Sequence, residues 1–249
     1  LPKNKVVKPQ VSLPFGKPQL LAPWTVQVSN WPPTWESLDL IYRNIQLMNE
    51  LASFKSLMVT SAVAGEGKST LALGLALSAA RLHQRVLLID ADLRRPNLHQ
   101  MLNLPNEQGL STLLSSDVTM PSHTTVQSSG AFIDILTAGP LASDPANMLS
   151  CQRMRELMAE YEKNYDLILI DAPPVLGMVD AMICASFCTG VVLVSRIGQV
   201  TKTELAQATG MLKKLNVVGV VANGVSGVNR GYAGAYTREN GVVLNKVWG

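Results

Sequence analysis

Short apolar runs alternate along the chain with longer stretches in which apolar and polar residues recur at helical spacing. The runs predict strands and the longer stretches predict helices. Continuous Val, Ile and Leu runs are typical of parallel strands that are covered on both faces. Strands are therefore predicted at 57–61, 85–90, 132–137, 165–170, 190–195 and 217–222, and helices at 68–82, 145–163, 178–187 and 201–214.

This alternation predicts the fold class, an α/β domain with a doubly wound, mostly parallel sheet between two layers of helices. The segment 96–130 is mostly polar, and we interpret it as a loop with short helical pieces. Another helix is predicted from Glu36 onwards, because apolar residues there form a rough stripe of Leu38, Ile41, Ile45, Leu47 and Leu51.

Changes in composition divide the chain into three parts. Residues 1–35 contain seven prolines and several lysines, and they are predicted to form an extended arm. Residues 36–225 carry the alternating pattern of the folded domain. Residues 226–249 are rich in glycine and are predicted to form a flexible tail that contains Tyr232 and Tyr236.

Composition narrows the classes of protein that fit. Of the 249 residues, 16% are charged, which favours a well-buried domain over disorder. The net charge is +3 without a dense block of Lys and Arg, so no nucleic-acid partner is expected. No run reaches the roughly 18 apolar residues of a membrane span. The chain begins at Leu1 rather than Met, so we expect it to be part of something longer.

A phosphate-binding loop is predicted after the first strand of this pattern, in the residues Ala64, Gly65, Glu66, Gly67, Lys68, Ser69 and Thr70. Such a loop requires a strand before it and a helix after it, and both are predicted here. The two glycines let successive backbone N–H groups point at phosphate oxygens. Lys68 supplies a positive charge, and the Ser69 hydroxyl can bind Mg²⁺. The alternative, a glycine-rich turn that binds nothing, is disfavoured by this setting, so the sequence predicts nucleotide binding.

Carboxylates follow two further buried strands. Asp90 and Asp92 end one of them, and Asp171 ends the other. In open α/β sheets the ligand binds beyond the carboxyl ends of the strands, so these residues are predicted to converge near the phosphate loop. There they suit magnesium binding, and one could act as a base toward an attacking hydroxyl. The alternative for each is that a strand-ending Asp caps the next helix or begins a turn.

With these residues, the chain resembles the cytoplasmic kinase domain of bacterial tyrosine kinases attached to polysaccharide co-polymerases, which control capsule and exopolysaccharide export. The resemblance covers most of 36–237. It rests on the phosphate loop and on the segments 90–96, 109–111, 139–140, 144–145, 165–166, 170–175, 195–198 and 223–225. The Asp-x-Asp-x-Arg element at 90–94 is the specific part, because many families have a phosphate loop.

The resemblance implies a Mg·ATP-dependent autokinase acting on tyrosine. Lys68 would neutralise the β- and γ-phosphates, and Ser69 would bind the metal. Asp90 would be the base, Asp92 would help to hold the metal, and Asp171 would position it through water. Asn223 matches the place from which family members contact adenine, and a turn-forming Asn is the equal alternative.

The resemblance also implies partners and a location. Tyr232 and Tyr236 would be the phosphate acceptors, offered to a neighbouring subunit of a homo-oligomeric ring, although surface tyrosines without that role are the alternative. The arm would follow a membrane anchor, either this protein's own chain-length regulator region or a separate membrane activator. The domain would then lie at the cytoplasmic face of the inner membrane.

Two departures from the family pattern weaken the expectation of a ring. The ring-forming helix of the family carries Glu-x-x-Arg-x-x-Arg, but here Glu36 is followed by Asp39 and Tyr42 at the arginine positions, with Arg43 one place late. The tail has only two tyrosines. An ATP-gated assembly module is therefore the alternative. A partitioning-type or cell-division ATPase is disfavoured, because Val63 stands where that class has a signature lysine.

Overall fold

A computed structural model describes residues 19–20, 32–52, 54–115, 123–128 and 130–224 of the chain. Its strands are β1 Gln19–Leu20, β2 Ser56–Ser61, β3 Val86–Asp90, β4 Thr124–Ser128, β5 Ala131–Leu136, β6 Leu167–Asp171, β7 Gly190–Arg196 and β8 Val217–Asn223. Its helices are α1 Pro32–Ala52, α2 Lys68–Arg81, α3 Leu98–Leu102, α4 Leu110–Ser115, α5 Pro145–Ser150, α6 Gln152–Asn164, α7 Val179–Ser186 and α8 Lys202–Leu212.

The strands form one sheet in the order β1-β4-β5-β3-β6-β2-β7-β8. Neighbouring strands are parallel except β4 and β5, which form an antiparallel hairpin. The predicted mostly parallel α/β fold is confirmed. At the centre of the sheet, Asp90 of β3 lies opposite Asp171 of β6, and Asp171 lies opposite Val59 of β2. The ends of three strands therefore meet at one edge.

Alternate residues of the central strands face two separate apolar cores. Leu167 and Leu169 of β6 belong to the core that α1 and α2 cover. Ile168 and Ile170 belong to the core on the other face, under α6, α7 and α8. Because side chains alternate along a strand and both faces are covered, the strand is apolar at every position before Asp171.

Helix α1 packs on α2, which itself follows the phosphate loop. Leu38, Ile41 and Ile45 of α1 are buried. The two helices approach closely at Gly74, where an added Cβ would lie 2.6 Å from Leu38 Cδ2. Leu47, predicted within the apolar stripe, is instead 62% exposed. Two residues beyond Ile45 is only about half a helical turn, so position 47 faces away from α2.

The residues at the family's arginine positions are used inside the chain. The buried Tyr42 donates its hydroxyl to Gln84 Oε1, and burial raises the pKa of Tyr42 to about 12. Asp39 Oδ2 lies 3.4 Å from Arg81 Nη1 of α2. Both side chains therefore contribute to the packing of α1 on the domain.

Three predictions of secondary structure are wrong in part. Helix α1 begins at Pro32 rather than Glu36, since proline is tolerated in the first turn of a helix. The helix predicted at 145–163 is two helices, because the backbone is extended at Cys151 (φ −66°, ψ 160°). The predicted loop 96–130 contains β4, whose polar sequence Thr-Thr-Val-Gln-Ser gives almost no apolar alternation.

Some predictions fall on the edge of the described chain or beyond it. Gln19–Leu20, within the predicted arm, pairs with β4, and the rest of the arm up to residue 31 lies outside the described residues. The predicted tail, with Tyr232 and Tyr236, lies outside them as well. Among the helices that are described, none has the length and hydrophobicity needed to cross a membrane.

The packing of α1 predicts that replacing a buried and an exposed aliphatic side chain of this helix by alanine will affect stability unequally. Ile45→Ala should lower the free energy of unfolding by about 2–4 kcal/mol, because it leaves a cavity between α1 and α2. Leu47→Ala, two residues away on the exposed face, should change it by less than about 0.5 kcal/mol. Urea unfolding followed by circular dichroism measures both, and equal losses would contradict the orientation of α1.

Candidate functional site

The phosphate loop joins β2 to the first residue of α2. Gly65 and Gly67 adopt positive φ of 84° and 94°, a backbone conformation that favours glycine. Gly67 has a second reason to be glycine, since an added Cβ would lie 2.3 Å from Asn223 Nδ2. The helix then begins at Lys68, so its positive dipole end adjoins the loop.

Three side chains from the β7–β8 side of the sheet hold three successive carbonyls of the loop. Gln199 Nε2 donates to Ala64 O at 2.8 Å, and Asn223 Nδ2 donates to Glu66 O at 2.8 Å. Between them, Arg196 Nη1 lies 3.4 Å from Gly65 O. With the carbonyls held from that side, the N–H groups remain available to a phosphate.

The Glu66 side chain is fully buried and braces the loop. Its Oε2 accepts the Val63 N–H at 2.8 Å, and its Oε1 accepts the Arg196 N–H at 2.9 Å. A carboxylate is the side chain that can accept at both oxygens at once. Glu66 thus fastens the start of the loop to the end of β7 while its own carbonyl is held by Asn223.

Asp90 is buried and serves the turn that follows β3. Its Oδ2 accepts the N–H groups of Asn97 and Leu98 at 3.1 and 3.0 Å, and its Oδ1 accepts the Asp92 N–H at 3.2 Å. The alternative interpretation, in which a strand-ending Asp caps the next helix, is therefore correct in part for Asp90. Burial, followed by the neighbouring charge of Asp171, raises the pKa of Asp90 toward 7, against the lowering effect of its backbone hydrogen bonds.

Asp92 and Lys68 form an ion pair of 3.2 Å between Oδ2 and Nζ, and both line a cavity of about 650 Å³. Burial acts to lower the pKa of Lys68. The charges of Asp171, Asp92 and Asp90 outweigh that effect and raise it, so the ammonium stays charged. The sequence predicts that Lys68, Asp90, Asp92 and Asp171 lie close together, and the structure brings them together.

Asp171 differs from the other carboxylates because both of its oxygens are buried without a hydrogen-bond partner among the described residues. Burial raises the pKa of Asp171 to about 6, while the charge of Lys68 and the nearby Ser69 hydroxyl act to lower it. A buried carboxylate without a partner is costly. Its oxygens are thus available to a ligand that the protein alone does not supply.

This donor set fits a magnesium ion that takes most of its ligands from phosphate and water. No group of three or more His, Cys, Asp or Glu side chains in the described ranges is arranged to enclose a metal. Mg²⁺ does not need such a cage, because it is commonly held by one or two carboxylates together with nucleotide phosphates. Ser69 and Asp171 have the oxygens for this role.

The segment after β3 is fastened to α7 by a second ion pair. Arg94 donates from Nε and Nη2 to the two oxygens of Asp180, whose carboxylate is buried at the first turn of α7. The charge of Asp180 thereby keeps Arg94 beside the cavity, which both Arg94 and Arg95 line.

Several of these residues were not predicted from the sequence. Arg196 is the last residue of β7 and Gln199 follows the strand, and only the strand order, which places β7 beside β2, shows that they reach the loop. Asn223, predicted to contact adenine or to form a turn, is engaged with Glu66 O and the Gly224 N–H. Thr70 lies in the first turn of α2 and is exposed.

Comparisons with known proteins agree with this geometry. A family model of ParA type, described as NUBPL iron-transfer P-loop NTPase, matches residues 54–232. Tyrosine-protein kinase YwqD of Bacillus subtilis (strain 168) is 40% identical over 190 residues, which cover 74% of this chain and 79% of that protein. Tyrosine-protein kinase etk of Escherichia coli (strain K12) is 34% identical over 171 residues, which cover 68% of this chain and 23% of that protein.

A solved structure to which the chain is similar is also that of a tyrosine kinase. The kinase domain of Escherichia coli tyrosine kinase ETK superposes with a TM-score of 0.75 at 28% identity, and the match covers 84% of each chain. Similarity in sequence and in structure therefore extends over most of the described domain, well beyond the phosphate loop.

The two hydrogen bonds of Glu66 predict a specific effect of removing its charge. Glu66→Gln presents an NH₂ group to one of the two backbone N–H donors, which leaves a buried donor unpaired at a cost of about 1–3 kcal/mol. The dissociation constant of Mg·ADP should rise about tenfold in isothermal titration calorimetry. Glu160→Gln, on the exposed face of α6, is the control, and an equal effect in both variants would contradict the bracing role.

The burial of Asp171 predicts that its carboxylate destabilises the ligand-free protein at neutral pH. Its folded pKa of about 6 lies above an unfolded value of about 3.9, so the cost is absent below pH 4, grows as pH rises, and is complete above pH 6. Without Mg²⁺ and nucleotide, Asp171→Asn should therefore be more stable than the parent by about 1–3 kcal/mol at pH 7.5 and by much less at pH 4.5.

Chemical unfolding at the two pH values tests this, with Asp180→Asn as the matched control. Asp180 is also buried, but it is paired with Arg94, so its substitution should lower stability. A loss of stability in Asp171→Asn at pH 7.5 would show that its charge is compensated in the ligand-free protein.

Proposed function

This chain belongs to the bacterial tyrosine-protein kinases, within the P-loop NTPases, and we propose that it transfers the γ-phosphate of ATP to tyrosines of its own C-terminal segment. The observation that carries the proposal is the convergence of Lys68, Asp90, Asp92 and Asp171 at the mouth of the phosphate loop, beside a cavity of about 650 Å³.

The arrangement suits phosphoryl transfer, in which the protein chiefly positions the reactants and stabilises charge. The loop N–H groups and the Lys68 ammonium would bind the phosphates. Mg²⁺, held by Ser69, Asp171 and the phosphates, would neutralise charge on the β- and γ-oxygens when bound. The ion pair between Asp92 and Lys68 holds the ammonium at the cavity.

A base is useful because a tyrosine hydroxyl has a pKa near 10 and is almost entirely protonated at neutral pH. The family resemblance gives the role of base to Asp90, whose two oxygens accept backbone N–H groups of the turn after β3 in this structure. Asp92 is the second candidate, because its carboxylate lines the cavity.

The proposed acceptors are Tyr232 and Tyr236, which lie outside the described residues. We propose that a second copy of the chain receives the tail, as the family resemblance implies. Because Tyr42 is buried and donates to Gln84, and Asp39 pairs with Arg81, such an assembly would not use these two side chains in the way that the arginines of the family are used.

The wider role is part of the proposal. The kinase would regulate capsule or exopolysaccharide polymerisation and export at the cytoplasmic face of the bacterial inner membrane. It would act with a membrane-anchored chain-length regulator region of its own or with a separate membrane activator.

The test is to incubate the purified protein with Mg·ATP and to map phosphate by intact-mass and peptide mass spectrometry. We expect phosphate on Tyr232 or Tyr236, and its loss in Lys68→Met, because that variant lacks the charge that binds the phosphates. Phosphotyrosine should also disappear in the Tyr232→Phe, Tyr236→Phe double variant.

Nucleotide turnover without phosphotyrosine would refute the proposal and favour an ATP-gated assembly module. Phosphorylation that persists in the double tyrosine variant would place the acceptors elsewhere. Full activity in Lys68→Met would contradict the assignment of the site itself.

A further inference from the structure

The cavity beside Lys68 and Asp92 extends well past the phosphate loop. It runs between the segment after β3 and a wall that includes Leu141, Pro174 and Met178. Its volume of about 650 Å³ falls within the range of roughly 300–1,000 Å³ found for pockets that enclose whole ligands. Ala64 and Lys68 of the phosphate loop also line the cavity, so bound phosphates would occupy part of it and the rest would lie beside them, where an acceptor must approach.

Leu141, one of the apolar residues of the cavity wall, follows a loop that is held by hydrogen bonds. Leu141 is 74% exposed, yet the loop before it is held by Asn106, which donates to Gly139 O and accepts from Gly139 N at 2.7 and 2.9 Å. Ser111 donates to Pro140 O at 2.8 Å. An exposed leucine on a rigid loop offers a constant apolar contact, which suits the ring of a tyrosine.

Among the Lys, Arg and Asp side chains that line the cavity, each forms an ion pair with another described residue except one. Lys68 is paired with Asp92, and Arg94 is paired with Asp180. Arg95 also lines the cavity with an exposed side chain, and no ion pair or side-chain hydrogen bond joins its guanidinium to any residue of the described ranges. The cavity thus combines an apolar wall with one unpaired cation.

We propose that this cavity binds the tyrosine-bearing segment of the substrate, and that Arg95 selects segments with an anionic side chain near the acceptor tyrosine. This inference rests on the proposed kinase function and names the substrate class of the same site. A guanidinium binds a carboxylate or a phosphate by paired N–H donors, so both sources of negative charge fit. In the chain itself, Glu239 lies three residues after Tyr236.

The test uses the full chain and synthetic peptides of residues 229–242 in which Phe replaces Tyr232, so that Tyr236 is the acceptor. One peptide keeps Glu239 and the other carries Glu239→Gln. We expect kcat/KM for the first to exceed that for the second by about three- to tenfold, the size of one charge-assisted contact at a partly exposed site. In Arg95→Gln this ratio should fall to about one, with KM for ATP unchanged.

Two further variants separate charge from structure. Arg95→Lys should keep part of the preference, because it retains the positive charge without the paired donors. Arg155→Gln, at an exposed arginine of α6, should keep all of it. A preference for Glu239 that persists in Arg95→Gln would overturn the inference, and so would a raised KM for ATP with the peptide preference intact.

The source of the negative charge is tested with a second pair of peptides, in which Tyr232 is the acceptor and residue 239 is Gln. Position 236 is phosphotyrosine in one and Phe in the other. Preference for the phosphorylated peptide alone would identify a phosphate as the selected group, and preference for Glu239 alone would identify a carboxylate. Autophosphorylation of the chain without a preference in either pair would overturn the inference, whereas absence of all phosphotyrosine would refute the kinase function instead.

Discussion

The site depends on three hydrogen-bonded neighbours at the centre of the sheet, β3, β6 and β2. Their register sets Asp90 beside Asp171 and Asp171 beside Val59, a few residues before the phosphate loop. This arrangement is possible because helices cover both faces and exclude water from the strand ends. The same exclusion makes the carboxylates costly, since three of them share one ammonium, that of Lys68, in a buried place. A cationic ligand and its nucleotide would relieve that cost, as protonation of Asp171 does at low pH.

The parts of this site that could be predicted from the sequence are those that lie in one continuous segment. The loop Ala64–Thr70 is recognised by its spacing, and the runs that end in Asp90 and Asp171 are recognised because both faces of each strand are buried. Their convergence follows from a general rule of parallel sheets rather than from any contact visible in the sequence. The mostly parallel fold was predictable for the same reason.

What could not be predicted depends on contacts between distant segments. Gln199 reaches Ala64 O only because β7 lies beside β2, and nothing in its local sequence marks it. Glu66 sits inside the motif, but its role as a brace depends on the Arg196 N–H, 130 residues away. Strand β4 was missed because its stability comes from pairing with β5 rather than from an apolar alternation of its own. The helix break at Cys151 could not be predicted, because neither glycine nor proline stands at this position or beside it.

Helix α1 shows how departures from a family pattern can be consistent with one another. At position 42 an arginine would have to be buried, and the tyrosine found there is buried and donates its hydroxyl to Gln84. At position 39 the carboxylate meets Arg81 of α2, where an arginine would face a like charge. At both positions the residue found here makes a contact within the chain. Because the exposed residues Leu40, Arg43 and Leu47 recur at helical spacing on the opposite side, any contact that α1 makes with a second copy must be built from that side.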